Sequence, residues 1–381
     1  MLRQRLRLDW HIRESGAEPS ARLRALAWLV LGEAMGADAA AGLFADARYG
    51  PPALEQAEKT LLRSLAGRSL DHPGMDEATR LNLPEFLLAS FQARFGESLP
   101  AEAAAFDGPA PLDLRANLLK GSRAQAQAAL LAEGIDARPT PFSPWGLRLS
   151  GRTPVTGTEA FKQGLIEIQD EGSQLIALLV DARPGMAVVD YCAGAGGKTL
   201  ALAAAMKNQG RIVAADVSAM RLDAAVKRLR RADIHNVERH LIAAGDKWAK
   251  RSAGRYDRVL VDAPCTGTGT WRRNPDARFR LTAQDLAELV TKQGDILDSA
   301  ARLLKPSGKL VYATCSVLPE ENDQQVSAFL ARNEAFRLVP LAQAWGGVSD
   351  APVPCAGAHL ALSPAAHGTD GFFAAVLEKR L

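Results

Sequence analysis

The chain from about residue 160 onward predicts an α/β fold, a mixed and mainly parallel sheet with helices on both faces. Two observations carry that prediction. AVVDY, RIVAAD, YDRVLVDA and KLVYATC are short apolar runs with β-branched residues, and helical stretches separate them. Strands alternating with helices in this way build parallel sheets buried on both sides. The closing FFAAVLEKR reads as a last strand, forming an antiparallel edge.

The preceding residues differ in texture. Residues 1–107 are rich in Ala, Leu, Glu and Arg, and ARLRALAWLVLGEAM places Leu23, Leu26, Val30 and Met35 at helical spacing. LEQAEKTLLRSLAG and LPEFLLASFQARFG repeat the pattern, the second with a Pro near its start. A helical bundle is expected here. PAEAAAFDGPAPLDLRAN reads as a linker leading into a strand. Residues 108–158 then run strand (LDLRAN), helix (SRAQAQAALLAEG) and a Pro-punctuated segment ending in WGLRLSG, a small α+β module. Residues 159–381 form the third expected domain.

Composition excludes several classes. At 381 residues, 47% hydrophobic and 23% charged, the chain is globular rather than disordered. Four cysteines, Cys192, Cys265, Cys315 and Cys355, form no CxxC pair, so neither a structural zinc nor a disulfide scaffold is expected. MLRQRLRLDWHIRES is basic but lacks the apolar core of about 7–15 residues of a secretory signal. No early stretch approaches the ~18 apolar residues of a membrane span. A cytoplasmic monomer is expected, without metal or membrane partner.

VVDY runs into CAGAGGKTLALAAAM, a glycine-rich turn opening a helix whose free N–H groups can meet a polar ligand. A phosphate-binding P-loop would need Gly where Cys192 stands, and GxGxxG fails because Thr199 follows Gly194 and Gly196 at the third position. Alone, the turn could be a tight turn without a ligand. Its context adds acidic residues at successive strand ends. Asp216 closes RIVAAD, 22 residues past Gly194, where a carboxylate can accept from two ribose hydroxyls. Asp246 closes AAGD beside an expected adenine pocket, and Asp262 closes VDA. A nucleoside cofactor without a pyrophosphate fits, and S-adenosylmethionine is the leading candidate.

Cys265, after Asp262-Ala263-Pro264, and Cys315, in LVYATCSVLPEEN, end neighbouring candidate strands and open on the same crevice. Cys192 and Cys355 read as small apolar fillers. Two thiols suit a pyrimidine methyl transfer. Carbon 5 is a poor nucleophile until a thiolate adds to carbon 6, and a base must later remove the carbon-5 proton. Asp262 is placed to stabilise the adduct near ring nitrogen 3.

CAGAGGKT, VDAPCTGTGTWRRNPD and YATCSVLPEEN together resemble the RsmB/Nop/Sun family of RNA cytosine-5 methyltransferases. FKQGLIEIQDEGSQL and HGTDGFFAAVL extend the likeness over residues 160–381, and PLDLRANLLKGSR resembles the family's small RNA-recognition-like module. The first hundred residues resemble its NusB-like extension loosely. The resemblance implies a Rossmann-like class I methyltransferase fold, S-adenosylmethionine as cofactor and RNA as partner, ribosomal RNA above tRNA. It implies that Cys315 of Thr-Cys-Ser is the nucleophile and that Cys265 of Pro-Cys assists release. It places cofactor contacts on Cys192, Ala193, Gly194, Ala195, Gly196, Gly197, Lys198, Asp216, Asp246 and Asp262. Ala195 departs from the Pro common in the family's turn, which loosens a φ restraint without removing a ligand group.

Residues 211–280 hold 16 basic and 8 acidic residues, an excess the chain total of +3 conceals. RLDAAVKRLRRADIH could bind phosphate or be a solvated helix face, whereas TWRRNPDARFR is expected to contact RNA or line the active site. A non-catalytic RNA-binding or ribosome-assembly factor keeping the fold is the alternative from another class. A NAD-linked oxidoreductase is disfavoured by the failed fingerprint.

Overall fold

The computed structural model describes residues 1–44, 50–151 and 153–381. They divide into two compact units: Met1–Gly108 with Asn274–Arg280, and Pro109–Arg273 with Leu281–Leu381.

In the first unit, helices Arg5–Glu14, Ala21–Leu31 and Gln56–Leu65 enclose Leu8, Ile12, Leu26, Val30, Leu61 and Leu65. Gly32 closes the second helix, so Met35 packs from the loop beyond it and not from the helical face. Leu99–Asp107 is a helix where a linker was expected. Leu99, Ala103 and Phe106 recur at helical spacing and are buried, and Pro100 sits in the first turn, where no N–H is needed.

The second unit holds both sheets. Strands β1 (Leu112–Ala116), β2 (Ala137–Pro139), β3 (Gly146–Leu149) and β4 (Ile166–Ile168) form an antiparallel sheet in the order β2-β3-β1-β4. Its fourth strand comes from beyond residue 158. Helix Arg123–Ala132 buries Ala126 and Leu130 against Leu114, Leu147 and Ile166.

The larger sheet comprises β5 (Ala187–Asp190), β6 (Arg211–Asp216), β7 (Val237–Leu241), β8 (Tyr256–Asp262), β9 (Leu304–Thr314), β10 (Phe336–Val339), β11 (Leu360–Leu362) and β12 (Phe372–Lys379). The order is β10-β12-β9-β8-β5-β6-β7, with β11 also on β12 and β5 to β9 parallel. Alternate strand residues enter different cores. Val188, Ile212, Leu260 and Val311 meet helices Glu171–Leu179 and Gly197–Ala205, while Val189, Val213, Val259 and Tyr312 meet helix Ala283–Ala301 and the one over Asp323–Arg332. Burial on both faces explains the continuous apolar runs. β12 is antiparallel to β9 as expected, but it is not an edge: β10 and β11 pair along its other side. Its residues from Phe372 to Leu377 are all buried, which an exposed edge would not sustain. Strand order reverses at β5, the place where open α/β sheets bind ligands. Among the described residues, no helix is long and apolar enough to cross a membrane.

Candidate active site

A cavity of about 1020 Å³ opens beyond the carboxyl ends of β5, β6, β8 and β9. Its lining includes Cys192, Ala193, Gly194, Ala195, Gly197 and Lys198 of the glycine turn, Asp216 at the end of β6, and Asp262, Cys265 and Cys315. Two expected residues are not on its lining. Gly196 sits behind the turn as the helix N-cap with φ +80°, where a Cβ would approach Ala225 Cβ to 3.2 Å. Asp246 accepts from Trp248 N–H at 2.8 Å and pairs with His240 Nε2 at 2.7 Å. Those two bonds, the backbone one foremost, hold its carboxyl below the usual range. The structure therefore gives Asp246 local partners in its own loop, and Ile242 is the residue of that loop that reaches the cavity.

Asp216 grips the turn from β6. Its Oδ2 accepts from Gly194 N–H at 2.8 Å and its Oδ1 from Ser218 N–H at 2.8 Å. Beside it, Val217 and Met220 line the cavity while 68% and 78% exposed, apolar surface without cover of its own. Lys198 places Nζ 2.6 Å from Asp262 Oδ2. Burial opposes its charge, but Asp262 prevails and raises its pKa.

The two thiols meet. Cys265 Sγ lies 3.4 Å from Cys315 Sγ. The contact with Cys315, followed by burial, pushes the Cys265 thiol well up. Main chain and a buried carboxylate hold the two loops together. Gly269 N–H donates to Cys315 O at 2.9 Å, and Gly371 N–H donates to Gly269 O at 2.8 Å. A Cβ on Gly269 would fall 2.0 Å from Gly371 O, so only glycine admits this approach. Glu321 accepts from Thr266 N–H at 2.9 Å, Thr266 Oγ1 at 2.5 Å and Gln293 Nε2 at 2.9 Å. Of the other cysteines, Cys192 is pushed upward by burial within the cavity wall, and Cys355 accepts from Ala361 N–H at 3.3 Å, away from that lining.

Asp190, at the end of β5, was not among the expected residues, although VVDY puts it where RIVAAD puts Asp216. It lines the cavity and accepts from Thr199 Oγ1 at 2.7 Å. Burial pushes its carboxyl up to about 7 against that bond, with Asp262 adding to the shift. Glu321 was also missed, hidden in a polar PEEN run whose burial nothing in the sequence announces.

The expectation for TWRRNPDARFR is corrected. Arg272 and Arg273 pair with Asp370, Arg273 also reaches Asp170 at 2.9 Å, and Arg278 meets Asp107 at 2.7 Å within the helical unit. Arg272 and Arg278 are buried. These charges hold the protein's own loop, and none of the segment's arginines lines the cavity.

Comparison with known proteins agrees with this architecture. The family described as 16S rRNA methyltransferase RsmB/F matches residues 177–378, more than half of the chain. The chain belongs to that family. The RsmF/B-like ferredoxin-like domain matches residues 83–156. Ribosomal RNA small subunit methyltransferase B of Photorhabdus laumondii is 35% identical over 78% of this chain and 66% of its own length. A probable ribosomal RNA small subunit methyltransferase B of Synechocystis is 33% identical over 81% of this chain and 70% of its own. The chain thus spans about two thirds of the length of the curated relatives it matches. The solved structure of a methyltransferase homolog from Pyrococcus horikoshii superposes with a TM-score of 0.68 at 30% identity, over 81% of this chain and all of that one.

Proposed function

We propose that the protein methylates carbon 5 of a cytosine in RNA, with ribosomal RNA as the substrate class, using S-adenosylmethionine and a covalent bond from Cys315. The observation that carries this reading is the 3.4 Å approach of Cys265 and Cys315 on the lining of the cavity whose glycine turn is held by Asp216. The names of the relatives favour ribosomal over transfer RNA.

The cavity's donor set fits the cofactor. Asp216 stands where a ribose can be held, and Val217 and Met220 offer uncovered apolar surface to a flat ring. When bound, S-adenosylmethionine supplies an electrophilic methyl group.

The chain's own residues prepare the base. The target cytosine must leave its stack to reach sulfurs set inside a cavity. The Cys315 thiolate adds to carbon 6, leaving carbon 5 as the nucleophilic end of an enamine. Asp262, entering as the carboxylic acid, gives its proton to ring nitrogen 3 as the sulfur adds and takes it back when the sulfur leaves, while Lys198 holds the carboxylate formed in between. After methylation, a base takes the carbon-5 proton, the carbon 5–carbon 6 double bond re-forms and the carbon–sulfur bond breaks. A Cys265 thiol kept protonated donates S–H to the departing Cys315 sulfur.

Replacing Cys265 with Ala tests this division. Adduct formation and methylation should survive but release should fail, so protein accumulates joined to RNA in the presence of S-adenosylmethionine and migrates slowly on a denaturing gel. The Cys265/Cys315 double variant should show no such band. A shifted band from the Cys315→Ala variant would reverse the roles. No band from either single variant, with RNA and cofactor bound, would refute the covalent mechanism.

A further inference from the structure

The cofactor turn holds two glycines in the left-handed region, Gly194 at φ +54° and Gly196 at φ +80°. Glycines give a turn this shape and also the freedom to lose it, so ordering it on binding would cost conformational entropy. Two arginines from outside the turn grip its carbonyls. Arg228 Nη1 donates to Ala195 O at 2.7 Å, and Arg115 Nη1 donates to Gly197 O at 2.9 Å.

Both grips trace to the small sheet. Arg115 belongs to β1 and also donates to Gln169 Oε1, just past β4. Glu167 of β4 lies 3.5 Å from Arg228 and 2.6 Å from Arg231. Gln169 Nε2 in turn donates to Ser173 Oγ at 3.1 Å, and both residues line the cavity.

Stability alone does not account for Arg115. Its side chain is buried, no carboxylate lies within ion-pair distance, and its Nε is without a hydrogen-bond partner among the described residues. Burial pulls its pKa down to about 10. Its hydrogen bonds go to neutral oxygens, and the Glu167 carboxylate on the neighbouring strand offsets part of the burial cost from beyond ion-pair distance, so the charge is only weakly compensated for its burial.

We propose that Arg115 and Arg228 are positioning residues that set the Cys192–Lys198 backbone in its cofactor-receiving shape before binding, making the small sheet part of the cofactor site. The inference rests on the cofactor assigned above. Prior ordering of this kind strengthens binding without touching the reacting atoms.

The test uses the full chain with Arg228→Met, Arg115→Met and Arg228→Lys. Calorimetry with S-adenosylmethionine alone gives Kd, steady-state methylation gives KM and kcat, and a thermal melt gives Tm. Each Met variant should raise Kd and KM for the cofactor about tenfold, the loss of one charge-assisted bond. At saturating cofactor kcat should stay within about twofold, since the transition state is untouched. Arg115→Met should stay folded at the assay temperature although Gln169 Oε1 loses its donor, and Arg228→Lys, which keeps a donor, should recover most of the affinity. Folded Met variants that bind like the parent, or that lose kcat at unchanged KM, overturn the arginine role alone. A parent protein that binds no S-adenosylmethionine overturns the cofactor assignment with it.

Discussion

Asn in place of Asp190 should remove a pH dependence of stability that the parent carries between about pH 4 and 7. The carboxyl is buried, accepts one bond from Thr199, and faces Asp262 and Asp216 with Lys198 as its cationic neighbour. Folding moves its pKa from 3.8 to about 7. Because the folded state holds the proton more tightly, this group's contribution is fully present below the unfolded pKa and disappears as pH rises through the folded one. The corresponding loss is on the order of 3–4 kcal/mol. Asn keeps an acceptor for Thr199 and cannot ionise, so its curve should lack this component. The assay is urea unfolding of both proteins at pH steps from 4 to 8 without cofactor, read as the difference in their pH profiles. A difference that stays flat across the range would refute the reasoning and mean that Asp190 is ionised at ordinary pH in the folded protein.

Three further substitutions probe the same cavity. Cys315→Ala should abolish turnover while calorimetry finds cofactor affinity near the parent's, because that sulfur is assigned to the base. Asp216→Ala should weaken S-adenosylmethionine binding by about 2–3 kcal/mol, since it removes both the ribose acceptor and the anchor on Gly194; unchanged calorimetry in a folded variant would reject the ribose assignment. Glu321→Ala takes the acceptor from Thr266 N–H and one of the partners from Thr266 Oγ1 and Gln293 Nε2, and should lower stability by about 1–3 kcal/mol in denaturant unfolding, with methylation falling as the Cys265 loop loosens.

The parts legible in the sequence were those that physics writes locally. β5, β6, β8 and β9 declare themselves because burial on both faces demands uninterrupted apolar runs, and Asp216 and Asp262 stand out by closing them. Leu99–Asp107 was obscured by Pro and Gly around an alanine-rich core whose apolar face is narrow. The place of β12 could not be read, because β10 and β11 reach it by pairings that hydropathy does not encode. Asp246 followed the same strand-end pattern as Asp216, yet its loop offered His240 and Trp248 as nearer partners. Arg115, Arg228 and Glu321 were out of reach for another reason: their roles rest on backbone atoms 33 to 82 residues away or on Thr266, 55 residues distant.

The internal pairing of arginines has a consequence for how RNA association should respond to ions. Of the 16 basic residues between 211 and 280, ten arginines already face a carboxylate: Arg211, Arg228, Arg231, Arg239, Arg251, Arg258, Arg272, Arg273, Arg278 and Arg280. Each phosphate neutralised on a single strand releases about 0.7 of a condensed counterion. Sixteen free cations would give a logarithmic salt slope near −11, whereas the six outside such pairs among the described residues give about −4. Affinity from this stretch would then be insulated from ionic strength, and a target would be told from other polyanions by whether its base enters the cavity.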